Sequence, residues 1–101
     1  MSFVCLVEIH LHFPENGSLK GKRKELQGLK SQLHRRFGAA VAETDHHDLW
    51  QRSTLSAAVV ARDAGAASEA ALRIERYVAS QFPETSRTER ALASGDELLG
   101  G

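Results

Sequence analysis

Two long amphipathic segments, each preceded by a capping residue, limit the folds open to this chain more than any other feature. In SLKGKRKELQGLKSQLHRRF, Ser18 is placed to cap a helix and Gly38 to end it. Apolar side chains recur along this segment at helical spacing, at Leu26, Leu29, Leu33 and Phe37. In AGAASEAALRIERYVASQF, Asp63 precedes the apolar pattern as an N-cap and Pro83 stops it. Each segment is long enough to be the crossover helix of a βαβ unit.

Four shorter segments have the composition of strands. FVCLVEIHLHF alternates between two faces, and its core face consists of Phe3, Cys5, Val7, Ile9, Leu11 and Phe13. AAVAET and TLSAAVVAR are built largely of small and β-branched residues, whereas TSRTERALA is polar, so we expect it at a sheet edge. The resulting order, β-α-β-β-α-β, predicts an α+β, ferredoxin-like sandwich with a four-stranded antiparallel sheet and two helices on one face.

The length of the chain, 101 residues, allows one domain with one core. We assign residues 1–93 to the ferredoxin-like domain and residues 94–101, SGDELLGG, to a flexible C-terminal tail. The predicted core comprises Phe3, Val7, Ile9, Leu11, Leu26, Leu29, Leu33, Phe37, Val41, Leu55, Val59, Ile74 and Val78.

The single cysteine and the N-terminal sequence indicate a cellular compartment. Cys5 lies inside an apolar strand, so we expect a core thiol and no disulfide. No basic segment precedes the first apolar run, and no run approaches the roughly 20 residues of a membrane span. These features predict a cytoplasmic protein without a membrane partner.

The formal net charge is zero, but the charges are unevenly distributed. Residues 18–37 contain seven Lys or Arg and one acidic residue, Glu25, which leaves six basic and twelve acidic residues elsewhere. A segment with an excess of six positive charges is typical of a surface that binds phosphates. The expected nucleic-acid contacts are Lys20, Lys22, Arg23, Lys24, Lys30, Arg35 and Arg36. Two alternatives stay open: a helix face that is only solvated, and lysines that pair with the acidic remainder of the molecule.

The densest cluster of reactive side chains is DHHDLWQRS, residues 45–53. His46 and His47 suggest a metal site, but adjacent histidines on a turn diverge, and no further ligand pair stands at helical spacing. We therefore predict a structural connection between two strands, in which Leu49 and Trp50 cover an end of the core or a subunit contact. No metal, cofactor or catalytic residue is predicted.

A phosphate-binding enzyme is a weaker alternative. FPENGSLKGKR joins a strand to a helix through Asn16, Gly17 and Ser18, whose backbone N–H groups are suited to hold a phosphate. Acylphosphatases use the same fold and a comparable loop, but STLSAAVVAR contains no asparagine to match theirs. Base stacking of the kind used by RNA-recognition motifs is also disfavoured, because the open strand face offers His10 and His12 and no Phe or Tyr pair.

The open face of the first strand also carries apolar residues. Val4 and Leu6 point away from the predicted core and would be exposed in an isolated two-layer sandwich. A homodimer with twofold symmetry would cover them, so we expect self-association.

Three segments resemble the YlxP-like family of small uncharacterised bacterial proteins: SLKGKRK, VAETDHHDLWQRS and AAVVARD. The resemblance extends to about Phe82 and implies a ferredoxin-like fold; the last strand is less typical of the family. Genes of the family often lie near those for translation initiation and ribosome maturation, which implies structured RNA or a ribosomal subunit as partner. No catalytic residues are established for it. A protein-interaction or assembly module without nucleic acid is the main alternative.

Overall fold

The secondary structure follows the predicted order in a computed structural model that describes residues 1–100. The elements are β1 (Phe3–His12), α1 (Leu19–Phe37), β2 (Ala40–Asp45), β3 (Arg52–Ala61), α2 (Ala64–Gln81), β4 (Ser86–Ser94) and the short helix α3 (Gly95–Leu98). No helix in this part of the chain has the length and apolar character needed to cross a membrane.

The four strands form one antiparallel sheet in the order β2-β3-β1-β4. In the register of the central strand β1, Ile9 lies opposite Leu55 on one side and Thr88 on the other. The polar strand β4 lies at an edge, as its composition predicts. The α+β, ferredoxin-like fold is therefore confirmed, and it leaves one face of the sheet open.

The predicted helix ends are confirmed by hydrogen bonds. Ser18 Oγ accepts the backbone N–H of Gly21 at 3.0 Å, and Asp63 Oδ1 accepts that of Ala66 at 2.8 Å. Gly38 ends α1 in the left-handed conformation, with φ of 66°, and donates its N–H to the His34 carbonyl at 2.9 Å.

The core lies between the two long helices and the sheet. Ten of the predicted core residues are buried: Val7, Ile9, Leu11, Leu26, Leu29, Leu33, Leu55, Val59, Ile74 and Val78. Phe3, Phe37 and Val41 are partly buried and pack against them. The predicted core thiol, Cys5, is also buried, and burial raises its pKa.

The segment expected as a C-terminal tail contains the end of β4 and a short helix. β4 continues to Ser94, and α3 follows at once with a capping box in which Ser94 and Glu97 each accept the other's backbone N–H at 3.0 Å. The Gly95 N–H also binds the Ser2 carbonyl at 2.7 Å. Residues 94–98 thus have regular secondary structure, while the flexibility of the tail stays a prediction; its last residue, Gly101, lies outside the described residues.

Candidate nucleic-acid interface

The outer face of α1 carries most of the cations that the sequence suggests for phosphate binding. Because the leucines of α1 face the sheet, polar positions between them face solvent. Lys20, Arg23, Lys24, Arg35 and Arg36 are exposed and Lys30 is half-buried. We call these six residues the basic helix surface.

The charges of the basic helix surface are not neutralised by carboxylates of residues 1–100. Among residues 1–100, none of its six cations lies within 4.0 Å of a carboxylate oxygen. Arg36 stacks its guanidinium 4.7 Å from the centre of the Tyr77 ring and donates from Nε to Gln32 at 2.8 Å. Pairing with the acidic remainder of the protein is thus not observed in this part of the chain.

Lys22 is the exception, and its predicted contact with phosphate is wrong. Its side chain is 1% exposed and points inward, because Lys22 stands four residues before Leu26 on the buried stripe of α1. That spacing is present in the sequence, whereas the charge of a lysine favours the outside of a helix. A charge buried this deeply must be compensated by acceptors inside the protein.

Five acceptors surround the Lys22 ammonium. Nζ donates to the carbonyls of His46 at 2.7 Å, His47 at 3.2 Å, Leu49 at 2.6 Å and Arg52 at 3.1 Å. It also lies 2.9 Å from Glu43 Oε2. An ammonium has three protons, so these contacts share them. The Lys22 side chain therefore anchors the β2–β3 connection through the backbone carbonyls of that connection.

Glu43 is the anionic partner of this anchor and is itself only 13% exposed. Burial alone would raise its pKa, but hydrogen bonds from Ser53 and Lys22, together with the charge of Lys22, outweigh burial and lower the pKa. Ser53 Oγ donates to Glu43 Oε2 at 2.6 Å, and His47 Nδ1 lies 3.1 Å from Glu43 Oε1. The carboxylate is therefore held in its charged form.

The DHHDLWQRS segment is a structural connection, but its anchoring differs from the one predicted. The side chains of Leu49 and Trp50 are 45% and 48% exposed, so they do not seal an end of the core. The segment is held by its carbonyl groups, which accept from Lys22 and, at Trp50, from Asn16 Nδ2. The residue types of a segment do not show which contacts its backbone carbonyls make, so this anchoring could not be predicted from the sequence. A subunit contact through Leu49 and Trp50 stays a prediction.

The two histidines of this segment face different groups. His46 Nε2 lies 3.8 Å from Asp45 Oδ2, whereas His47 is directed toward Glu43. Within residues 1–100, no three His, Cys, Asp or Glu side chains are grouped closely enough to hold a metal ion.

The loop before α1 uses its own polar groups internally. The Asn16 N–H donates to the Phe13 carbonyl at 3.1 Å, and the Ser18 N–H to Asn16 Oδ1 at 3.4 Å. Two of the backbone donors that an acylphosphatase-like loop would aim at phosphate therefore already have acceptors, which disfavours that alternative.

The apolar part of the open sheet face lies where β1 begins. Val4 is half-buried and stands opposite Val60, which is 72% exposed, while Leu6 is 38% exposed. This small apolar patch is available to a partner.

Comparison with known proteins identifies relatives without an assigned activity. The model of a family described as Protein of unknown function (DUF503) matches residues 4–90. Uncharacterized protein YlxP of Bacillus subtilis (strain 168) is 31% identical over 72 residues, which cover 71% of this chain and 77% of that protein.

Solved structures share the fold at low sequence identity. The de novo designed protein Foldit4 superposes with a TM-score of 0.63 and 11% identity, over 93% of this chain and 98% of the design. SnoaB, a cofactor-independent oxygenase from Streptomyces nogalater, superposes with a TM-score of 0.54 and 15% identity, over 94% of each chain. Identities in this range show a common fold and carry no activity across.

Proposed function

The chain belongs to the YlxP-like DUF503 family, whose function is unknown, and we propose that it is a non-catalytic cytoplasmic protein that binds the phosphate backbone of structured RNA. The basic helix surface is the proposed contact. This keeps six of the seven residues that the sequence suggests and omits Lys22.

One observation carries the proposal: the cations of the basic helix surface project into solvent without a carboxylate partner among the described residues. A lysine or arginine that is already paired must lose its carboxylate partner before it binds phosphate, and none of these six has one to lose. Arg36 alone must leave other contacts, those with Tyr77 and Gln32. The position of related genes near those for translation, which the family resemblance implies, also favours RNA as the polyanion.

The dimensions of α1 suit backbone contacts. From Lys20 to Arg36 the helix rises about 24 Å, at about 1.5 Å per residue. Flexible side chains spread over that length meet several successive phosphates without reading bases. The open sheet face carries no Phe, Tyr or Trp on β1 or β3, so stacking of bases there does not contribute.

A protein-interaction module without nucleic acid is the second candidate. The observation that favours it is the exposure of Val60 and Leu6 on the open sheet face. The two candidates predict different effects of charge reversal.

In-cell crosslinking followed by identification of bound RNA and protein separates the candidates. The test variant is Arg23→Glu with Lys24→Glu, two exposed cations of α1. The matched control is Arg62→Glu with Arg76→Glu, which reverses the same number of exposed charges outside α1.

The proposal expects recovery of one RNA region by the wild type and the control, and its loss from the α1 variant. Recovery of a protein partner alone, unchanged by either charge reversal, would favour the interaction module and contradict RNA binding.

A further inference from the structure

A small polar pocket lies on the open face of the sheet, at the opposite end of β1 from Val4. It has a volume of about 260 Å³ and is lined chiefly by His10, His12, His46, Arg52, Thr54 and Arg87. The strand register creates it, because Arg52 stands opposite His12 and Arg87 stands opposite His10. These residues come from three separate parts of the chain, so no single segment of the sequence reveals the pocket.

Two guanidinium groups give the pocket its charge. Arg52 is exposed and makes no ion pair within residues 1–100. Arg87 makes one, from Nη1 to Glu89 Oε2 at 3.3 Å, and both of these side chains are largely exposed. One acidic residue, Glu84, is among those that line the pocket. An exposed ion pair of this kind contributes little stability, so Arg87 can exchange Glu89 for another anion at low cost.

His10 has an incomplete set of contacts. Its Nδ1 lies 3.2 Å from Thr54 Oγ1, whereas Nε2 is buried and has no hydrogen-bond partner among the described residues. Glu89 Oε2 lies 3.4 Å from Nε2 and is the same oxygen that Arg87 approaches. A buried ring nitrogen without an aligned partner is uncommon in a native protein. If an anion binds Arg87 in place of Glu89, the Glu89 carboxylate becomes free to accept a hydrogen bond from His10 Nε2.

The Lys22 anchor fixes one wall of the pocket. Lys22 Nζ binds the carbonyl oxygens of His46 and Arg52, and the side chains of those two residues line the pocket. Their backbone is thereby held in place before any ligand arrives, which is what a preorganised site requires. Lys22 is in this respect a positioning residue and does not itself reach the pocket.

We propose that this pocket binds the terminal phosphate of a phosphate monoester, with Arg52 and Arg87 as its principal contacts. Arginine presents paired N–H donors that match phosphate oxygens. The volume is below the range of about 300 to 1,000 Å³ that holds whole drug-sized ligands, so we assign the pocket to the phosphate group. The remainder of the ligand lies outside. The site is on the opposite face of the sheet from α1 and does not depend on the function proposed for that helix.

Titration with inorganic phosphate, followed by amide NMR, tests the site. The expected result is saturable shifts confined to the pocket residues, with affinity about tenfold weaker in Arg52→Gln and in Arg87→Gln. Arg62→Gln, an exposed arginine at the other end of β3, is the matched control and should bind as the wild type does. If Arg52→Gln alters the fold, Arg87→Gln alone decides, since its side chain is 70% exposed. Shifts that do not saturate, or that persist unchanged in Arg87→Gln, would overturn the proposal.

Two further ligand pairs identify the source of the phosphate. A nucleoside 5′-monophosphate is compared with its nucleoside, and a 5′-phosphorylated short RNA with the same RNA ending in a hydroxyl. Tighter binding of the phosphorylated member of either pair supports the site and names its source, and no difference in both pairs rejects it. The variant Arg23→Glu with Lys24→Glu should leave these differences unchanged, which separates this site from the basic helix surface.

Discussion

At the scale of single residues, a lysine occupies a position of α1 that helical spacing assigns to the core. The methylene groups of Lys22 continue the apolar stripe, and its ammonium donates to carbonyl groups of the β2–β3 connection. Such a residue shapes the β2–β3 connection more than any side chain within it does. The sequence contains the spacing but not the acceptors, which is why the burial of Lys22 could not be predicted from charge.

We expect Lys22→Met to lower the free energy of unfolding by about 3 to 5 kcal/mol, because it leaves Glu43 charged and unpaired and several carbonyls without donors. Urea unfolding followed by circular dichroism measures this. Lys24→Met, two residues further along α1 and exposed, should stay within about 0.5 kcal/mol of the wild type. Equal effects of the two substitutions would show that the anchor contributes nothing.

The Glu43 carboxylate makes stability depend on pH. Because its pKa is lower in the folded protein than its usual value of 4.5, the stabilisation is fully present above that value and is lost as pH falls below it. We expect the free energy of unfolding of the wild type to fall more steeply than that of Glu43→Gln between about pH 5 and pH 3. Parallel curves for the two proteins in urea titrations at stepped pH would contradict the assignment.

At the scale of elements, the ends of α1 and α2 were predictable, because caps and breakers act locally. Ser18, Gly38 and Asp63 each make the contact that their residue type favours. The strand β4 was placed at an edge from its polarity alone. In contrast, the capped helix α3 was missed because a helix of four residues has no hydrophobic period to detect.

Two glycines of α1 should respond to alanine in opposite ways. Gly28 lies within the helix with nothing within 4 Å of an added Cβ, so Gly28→Ala should stabilise the protein by up to about 1 kcal/mol. Gly38 has a φ of 66°, so Gly38→Ala should destabilise it by about 1 kcal/mol. Thermal unfolding of both variants shows whether each substitution raises or lowers the stability. A change in the same direction for both would contradict the assignment of Gly38 as the end of α1.

At the scale of the whole molecule, the open face of the sheet carries two different surfaces, one at each end. The apolar patch with Val60 and the polar pocket with His12 stand at opposite ends of the open face, about 26 Å apart along β1 at about 3.3 Å per residue. The sequence predicts which residues of β1 point outward, but the pocket requires the register of three strands. Strand register depends on contacts distant in sequence, so neither Arg52 nor Arg87 could be assigned to a site beforehand.

Self-association through the apolar patch stays a prediction. If Val4, Leu6 and Val60 form a twofold contact, light scattering should show a dimer at high micromolar concentration, and Val60→Glu should yield a monomer. Leu99→Glu changes another exposed apolar residue, one outside the patch; it is the control and should leave the dimer intact. A wild-type monomer at that concentration would rule out this contact.

The salt dependence of RNA affinity tests the basic helix surface most directly. Fluorescence anisotropy of a labelled structured RNA gives Kd over a range of KCl concentrations for the wild type and for Arg23→Gln with Lys24→Gln. The wild type should bind with an affinity that falls steeply with salt, and the variant's slope should be smaller by about 1.4 to 1.8, at 0.7 to 0.9 for each lost phosphate contact. No binding at low salt, or the same slope for both proteins, would contradict RNA binding by α1.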